Sequence, residues 1–120
     1  MTKPIGNPVS AVPIYASLMS LAIRDGVAHT STIQQTAGIN NKMFLIRNTL
    51  DQTITVVASG AMDSAMAGAK QLASNVLGVG SVAETWRVDE CTQAWPYIQY
   101  TITAGGVPTV GSVTVEFAGQ

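Results

Sequence analysis

Lys42-Met43-Phe44-Leu45-Ile46-Arg47-Asn48-Thr49-Leu50-Asp51-Gln52-Thr53-Ile54-Thr55-Val56-Val57-Ala58 holds two apolar runs separated by Asn48–Gln52. Met43–Ile46 is apolar on both faces of a strand, the pattern of a central strand covered on two sides. Thr53–Ala58 alternates, with Ile54 and Val56 on one face and Thr53 and Thr55 on the other. Asn48–Gln52 reads as the connecting turn. The expectation is two antiparallel strands joined as a hairpin.

Working outward, the same alternation recurs near the C-terminus. Tyr97–Thr103 places Ile98, Tyr100 and Ile102 on one face, and Gly111–Phe117 does the same for Val113, Val115 and Phe117. Ala104-Gly105-Gly106-Val107-Pro108 reads as the turn between them. Thr85–Asp89 alternates as well, with Trp86 and Val88 inward. Toward the N-terminus, Thr30–Thr36 is polar and β-branched and suits an edge strand, followed by turn residues at Gly38, Asn40 and Asn41. Residues 14–24 fit a helix through Ile14, Leu18 and Leu21, and alternation through Tyr15, Met19, Leu21 and Ile23. The Asp25-Gly26 turn signal favours a strand. Short strands punctuated by Gly and Pro predict a mainly β domain over residues 14–120, an antiparallel sandwich or jelly roll.

One segment departs from this pattern. Residues 61–76 are rich in helix formers, and Ala61, Ala65, Ala69 and Ala73 recur every four positions, flanked by Met62, Met66, Leu72 and Val76. That spacing predicts one inserted helix with a small-residue stripe, packed on the core and ended by Gly78 and Gly80. Residues 1–13 contain Pro4, Pro8 and Pro13. Each fixes φ and pushes its predecessor out of helix, so the segment reads as an extended arm or a frayed terminus. As an arm, Pro4, Ile5, Pro8, Val9, Val12 and Pro13 are its candidate contacts with a neighbouring subunit or shell.

Composition narrows the function classes. Only 11% of the 120 residues are charged, the net charge is -1, and Ala, Gly, Ser, Thr and Val make up half of the chain. Nucleic-acid binding needs a basic surface, and Lys3, Arg24, Lys42, Arg47, Lys70 and Arg87 are scattered instead. No apolar run approaches the ~20 residues of a membrane helix, and the proline-broken N-terminus does not read as a signal peptide. Neither a nucleic-acid nor a membrane partner is therefore expected.

Motifs for chemistry are sparse. His29, the one histidine, sits at a turn flank and reads as solvated surface. Cys91, the one cysteine, cannot close a zinc site, which usually takes four Cys or His ligands. Asp25, Asp51, Asp63, Glu84, Asp89, Glu90 and Glu116 fall at turns or on exposed strand faces and form no evident glycosidase pair. Gly78-Val79-Gly80-Ser81-Val82-Ala83 matches a loose dinucleotide fingerprint but follows the expected helix where the motif must open one. No cofactor, metal or catalytic residue is expected. Strand faces bearing Thr and Gln in place of Lys and Glu suit a subunit covered by neighbours. They also suit a carbohydrate-binding module with Trp86, Trp95, Tyr97 or Tyr100 as platforms.

The stretch Lys42–Val56 resembles a pattern in small β-sandwich virion proteins of tailed bacteriophages, where a hydrophobic strand ends in Asn-Thr-Leu-Asp-Gln and returns β-branched. Tyr97–Thr103 followed by Pro108–Val115 is similar to the closing hairpin of such proteins. The resemblance implies a non-enzymatic capsid decoration, or cement, protein on the outer capsid surface of a virion. Its partner would be the major capsid protein, and its own state a homotrimer. A tail or baseplate component is the related alternative.

Overall fold

The computed structural model describes residues 13–39, 41–80, 82–84 and 95–120. In chain order the described strands are β1 (Ile14–Leu21), β2 (His29–Thr30), β3 (Gln34–Gln35), β4 (Lys42–Asn48), β5 (Ile54–Ala61), β6 (Lys70–Leu77), β7 (Val82–Glu84), β8 (Tyr97–Ala104) and β9 (Val113–Gly119). They form two antiparallel sheets. One has the order β1-β9-β4-β7, and the other has β2-β8-β5-β6, with β3 continuing the β2 edge along β8. Counting β2 and β3 as one interrupted strand, the chain changes sheet at every connection except β3–β2 within that strand and β5–β6. That is the strand order of an eight-stranded jelly roll.

The core lies between the sheets and follows the alternation. Phe44 and Ile46 on β4, with Val113, Val115 and Phe117 on β9, face Ile54, Val56 and Ala58 on β5 and Ile98, Tyr100 and Ile102 on β8. Phe44 joins the layers: its ring centroid is 4.9 Å from that of Tyr100 in the opposite sheet and 5.0 Å from that of Phe117 in its own, both tilted. Such pairs add about 0.5–1.5 kcal/mol beyond the area they bury. Ser31 and Thr32, between β2 and β3, close one side of the sandwich. The Ser31 N–H donates to Tyr100 O at 2.8 Å, and the Thr32 N–H donates to Leu18 O at 2.9 Å. One short segment thus ties β8 in one sheet to β1 in the other.

Four expectations are corrected here. The helix over 61–76 does not form: these residues are the end of β5, a turn, and β6. Met66 at φ 61° and Gly68 at φ 68° lie in the left-handed region and break any helical run between them. Helix propensity distinguishes residues by only about 0.7 kcal/mol each. The ladder from Ile54↔Leu77 to Gly60↔Lys70, with burial of Leu72 and Leu77, outweighs it. The β4–β5 hairpin is also absent, since β4 pairs with β7 and β9 while β5 pairs with β6 and β8. The same holds for β8 and β9, which lie in different sheets. Alternation fixes which face turns inward and leaves the lateral partner open.

The fourth correction concerns β4. It is an interior strand, but only one of its faces is covered: Phe44 and Ile46 are fully buried, while Met43 is 38% exposed and Leu45 half-buried on the other side. For residues 14–24 the strand reading is the observed one. The mixed periodicity comes from a bulge between Ser17 and Met19, which turns both Leu18 and Met19 inward. The expected strand Thr85–Asp89 lies outside the described residues.

Candidate functional site

The apolar surplus on β4 belongs to a larger surface. On the outer face of the β1-β9-β4 sheet, register places Tyr15, Ala118 and Met43 in one row and Ser17, Glu116 and Leu45 in the next. Ala118 on the middle strand is small, while Tyr15 and Met43 on either side are long, so the face is troughed. Two hollows follow it. One of about 430 Å³ reaches from Tyr15 and Ser17 past Ala118 to Leu45 and Glu116. The other, about 250 Å³, shares Tyr15, Met43 and Ala118 and extends to Pro13, Lys42 and Gln120. The ladder beneath continues past the strands, because Asn41 and Gln120 exchange backbone hydrogen bonds of 3.1 and 3.0 Å. Tyr15, on the edge strand β1, is 76% exposed and lines both hollows.

Of the six candidate contact residues, Pro13 is exposed, immediately precedes β1 and lines the smaller hollow. Pro4, Ile5, Pro8, Val9 and Val12 lie outside the described residues, as do Cys91, Trp86, Asp89 and Glu90. Sequence reasoning missed Tyr15, Met43, Leu45 and Ala118 as surface residues. The available signal is the apolar outer phase of β4, which in sequence alone is indistinguishable from a second buried face.

His29 opens β2, with Nε2 2.7 Å from Asp25 Oδ1 across the intervening turn. That hydrogen bond is the main influence holding the Asp25 carboxyl below its ordinary pKa. Asp51 accepts hydrogen bonds from the Thr109 hydroxyl, at 2.5 Å, and from the Thr109 N–H, at 3.0 Å, and these lower its pKa. No group of three or more His, Cys, Asp or Glu side chains converges among the described residues. Trp95 and Tyr97 are half-buried, with Trp95 against the core and over Gly60, and Tyr100 is in the core. Among the described residues no helix is long and apolar enough to cross a membrane.

The depressed carboxylates have a consequence in acid. A folded-state pKa below the unfolded one means that the unfolded chain binds more protons, so stability rises with pH through that window. Asp51 therefore stabilises the fold at neutral pH, and this contribution disappears as the pH falls through its lowered pKa. Asp51→Ala should lower the guanidinium midpoint at pH 7 and show a shallower acid decline than the parent chain. Parallel midpoints from pH 7 to pH 2 would mean that the Thr109 contact contributes nothing.

No family model matches the chain, and no curated protein matches its sequence. Several solved structures share its fold. The PBSX exported protein XepA aligns with 98% of this chain at 13% identity and a TM-score of 0.65, and the chain spans 39% of the length of that protein. PirA aligns with 96% of this chain and 97% of its own at 11% identity, TM-score 0.54. A subunit of the disulfide-linked pili that form Bacillus endospore appendages aligns with all of this chain and 98% of its own at 10% identity, TM-score 0.54.

Proposed function

We propose that this chain is a non-enzymatic virion structural protein, and specifically a capsid decoration protein that binds the assembled shell on its outer surface, as a trimer on the major capsid protein. The observation that carries this reading is the neutrality of its broad faces. The outer phases of β5 and β8 present Thr55, Val57 and Ser59 beside Tyr97, Gln99, Thr101 and Thr103, with no charge among them. The outer phase of β1-β9-β4 adds the apolar trough, with Glu116 and Arg47 as its charges. Free proteins keep such flat faces charged to remain soluble and separate, and contiguous exposed apolar surface marks an interaction site.

The comparisons support the reading without specifying it. One fold relative is the PBSX exported protein XepA, and another comes from the disulfide-linked pili of Bacillus endospore appendages. Jelly rolls serve in viral capsids and also in lectins, so fold alone does not choose between them. A protein that binds only the assembled lattice stabilises it as the logarithm of its concentration over Kd. Particles stripped of it should therefore release their genome at lower temperature, and adding the purified protein back should restore the release temperature. Mass spectrometry of purified heads and tails is the direct measurement. Absence from heads removes the decoration role, and presence in tails alone moves the protein to the tail or baseplate.

A carbohydrate-binding reading has one observation in its favour. Tyr15 is an exposed aromatic platform beside the polar Ser17 and Glu116. A glycan array on the purified chain tests it, and uniform lack of binding removes it.

A further inference from the structure

We infer that β1 is a two-fold pairing edge: Ile14–Leu18 adds antiparallel to the same segment of a second copy, centred on Ala16, so that the β1-β9-β4-β7 sheets of two chains become one. The contact needs neither a particle nor a trimer, so it stands or falls apart from the decoration role.

The first argument is hydrogen-bond phase. Asn41 and Gln120 exchange both backbone hydrogen bonds, and in an antiparallel ladder such pairs recur at every second residue. Met43↔Ala118 and Leu45↔Glu116 are therefore bonded pairs, which turns the N–H and C=O of Phe117 and Gly119 toward β1. Ala16 and Ile14, opposite them, use their own groups on β9. Tyr15 and Ser17 consequently aim theirs outward, at an edge where no described strand pairs. Past Ser17 the edge is closed. The strand bulges there, and the Thr32 N–H and hydroxyl both donate to Leu18 O, at 2.9 and 3.2 Å. At the other end stands Pro13, which has no N–H. What remains open is a short ladder whose outward groups flank Ala16.

The second argument is that this ladder complements itself. Two such segments set antiparallel about Ala16 place Tyr15 opposite Ser17 twice, which makes four hydrogen bonds. Ala16 then meets its own counterpart in a non-bonded pair, where the backbones approach to ~4.5 Å, a spacing that suits a methyl group. On the core side Ile14, 45% exposed, comes to lie beside the buried Leu18 of the other copy. On the outer side each exposed Tyr15 stands beside the other copy's small Ser17, in the row that continues through Glu116 and Leu45 along the larger hollow.

Charge agrees with this pairing. Ile14–Leu21 contains no charged residue, so the two-fold opposes no like charges. The edge strand of the other sheet, β6, opens with Lys70, one of the devices by which edges resist pairing. The chain's own N-terminal segment is a poorer partner than a second β1. Every run of five residues within 1–12 includes Pro4 or Pro8, each lacking the N–H that a ladder uses.

The test uses full-length chains in sedimentation equilibrium. The parent should associate in a two-fold step at high micromolar concentration, as dimers, or as hexamers where trimers also form. Ser17→Pro removes two of the four cross-copy hydrogen bonds and should weaken that step at least about tenfold. Circular dichroism and melting report whether the variant is folded, and Ser17→Lys, which charges the same edge position, takes its place if it is not. Register is tested by Ala16→Cys in a Cys91→Ser background, which should oxidise to a disulfide-linked dimer on a denaturing gel. Val76→Cys in the same background, at an exposed position on the other sheet's edge, should not. A parent that shows no two-fold step up to about 1 mM overturns the inference, whatever covers the edge instead. Association that persists in the Ser17 variants without cross-linking through position 16 overturns it also, because another surface would then carry the contact.

Discussion

Asn48→Ala is expected to destabilise the fold by about 3–5 kcal/mol, estimated from the cost of stranding several buried polar groups at about 1–3 kcal/mol each. Asn48 is fully buried at the end of β4, and one side chain serves four backbone groups. Its Nδ2 donates to Gln52 O at 2.9 Å, Gly78 O at 3.1 Å and Leu77 O at 3.4 Å, while its Oδ1 accepts the Leu50 N–H at 3.0 Å. The residue thus shapes the corner where the chain leaves one sheet for the other and pins that corner to the end of β6. Alanine leaves the buried Leu50 N–H and Leu77 O, and the part-buried Gln52 O and Gly78 O, without this partner. Asn48→Asp should be no better, because a carboxylate would replace the donor and face three carbonyl oxygens. Guanidinium denaturation measures both, and a loss below about 1 kcal/mol for alanine, the net value of a single ordinary hydrogen bond, would show that the corner is held by something else.

The same residue explains what the sequence did and did not disclose. Inward phases were readable because they depend only on alternation, so Ile54, Val56, Ile98, Tyr100, Ile102, Val113, Val115 and Phe117 are core as expected. Pairing was not readable, because Asn48–Gln52 is polar whether it turns a hairpin or crosses between sheets. The distinction lies in Asn48 reaching Leu77 and Gly78, some thirty residues away. The β5–β6 connection is the converse case. It is a true hairpin, yet its alanine spacing imitates a helix, and the left-handed Met66 and Gly68 carry no mark that periodicity detects.

The candidate surface was partly legible for a related reason. Pro13, a candidate contact in the sequence, borders the trough, while Met43 and Leu45 read as buried because an apolar residue does not state what covers it. An unpaired outer phase and a second buried phase read identically in one chain. Under the proposed role, copies of the protein or a shell would supply the cover that a second layer would supply within the chain. The low charge of both broad faces points the same way. Sequence reasoning used that neutrality to predict an assembly, and the register of β5 with β8 places the neutral residues side by side.

Gly111→Ala should be the most damaging of the glycine substitutions, costing more than about 4 kcal/mol, because it combines left-handed strain of about 1–2 kcal/mol with a collision that flexible atoms cannot relieve. Gly111 has φ 87°, and a Cβ there would stand 1.9 Å from Thr49 O and 2.8 Å from Leu50 N, both backbone atoms. Yielding means separating Thr49 from Ser112. That breaks Thr49 N–H to Ser112 O at 2.9 Å, Thr49 hydroxyl to Ser112 O at 3.0 Å and Ser112 N–H to the Thr49 hydroxyl at 2.9 Å. Gly111 O also accepts from Arg24 at 3.0 Å, so the first sheet's β1 exit is drawn in. Two other glycines separate the contributions. Gly38→Ala, at φ 77° with no neighbour within 4 Å, carries the strain alone and should cost about 1–2 kcal/mol. Gly26→Ala, in open space without a positive φ, should change stability by less than about 0.5 kcal/mol. The gap between Gly111 and Gly38 measures how firmly the 49–50 and 111–112 segments are locked together. If the two alanine variants unfold at the same denaturant concentration, the contact between those segments is soft, and the corner described above cannot be what joins the two sheets at this end.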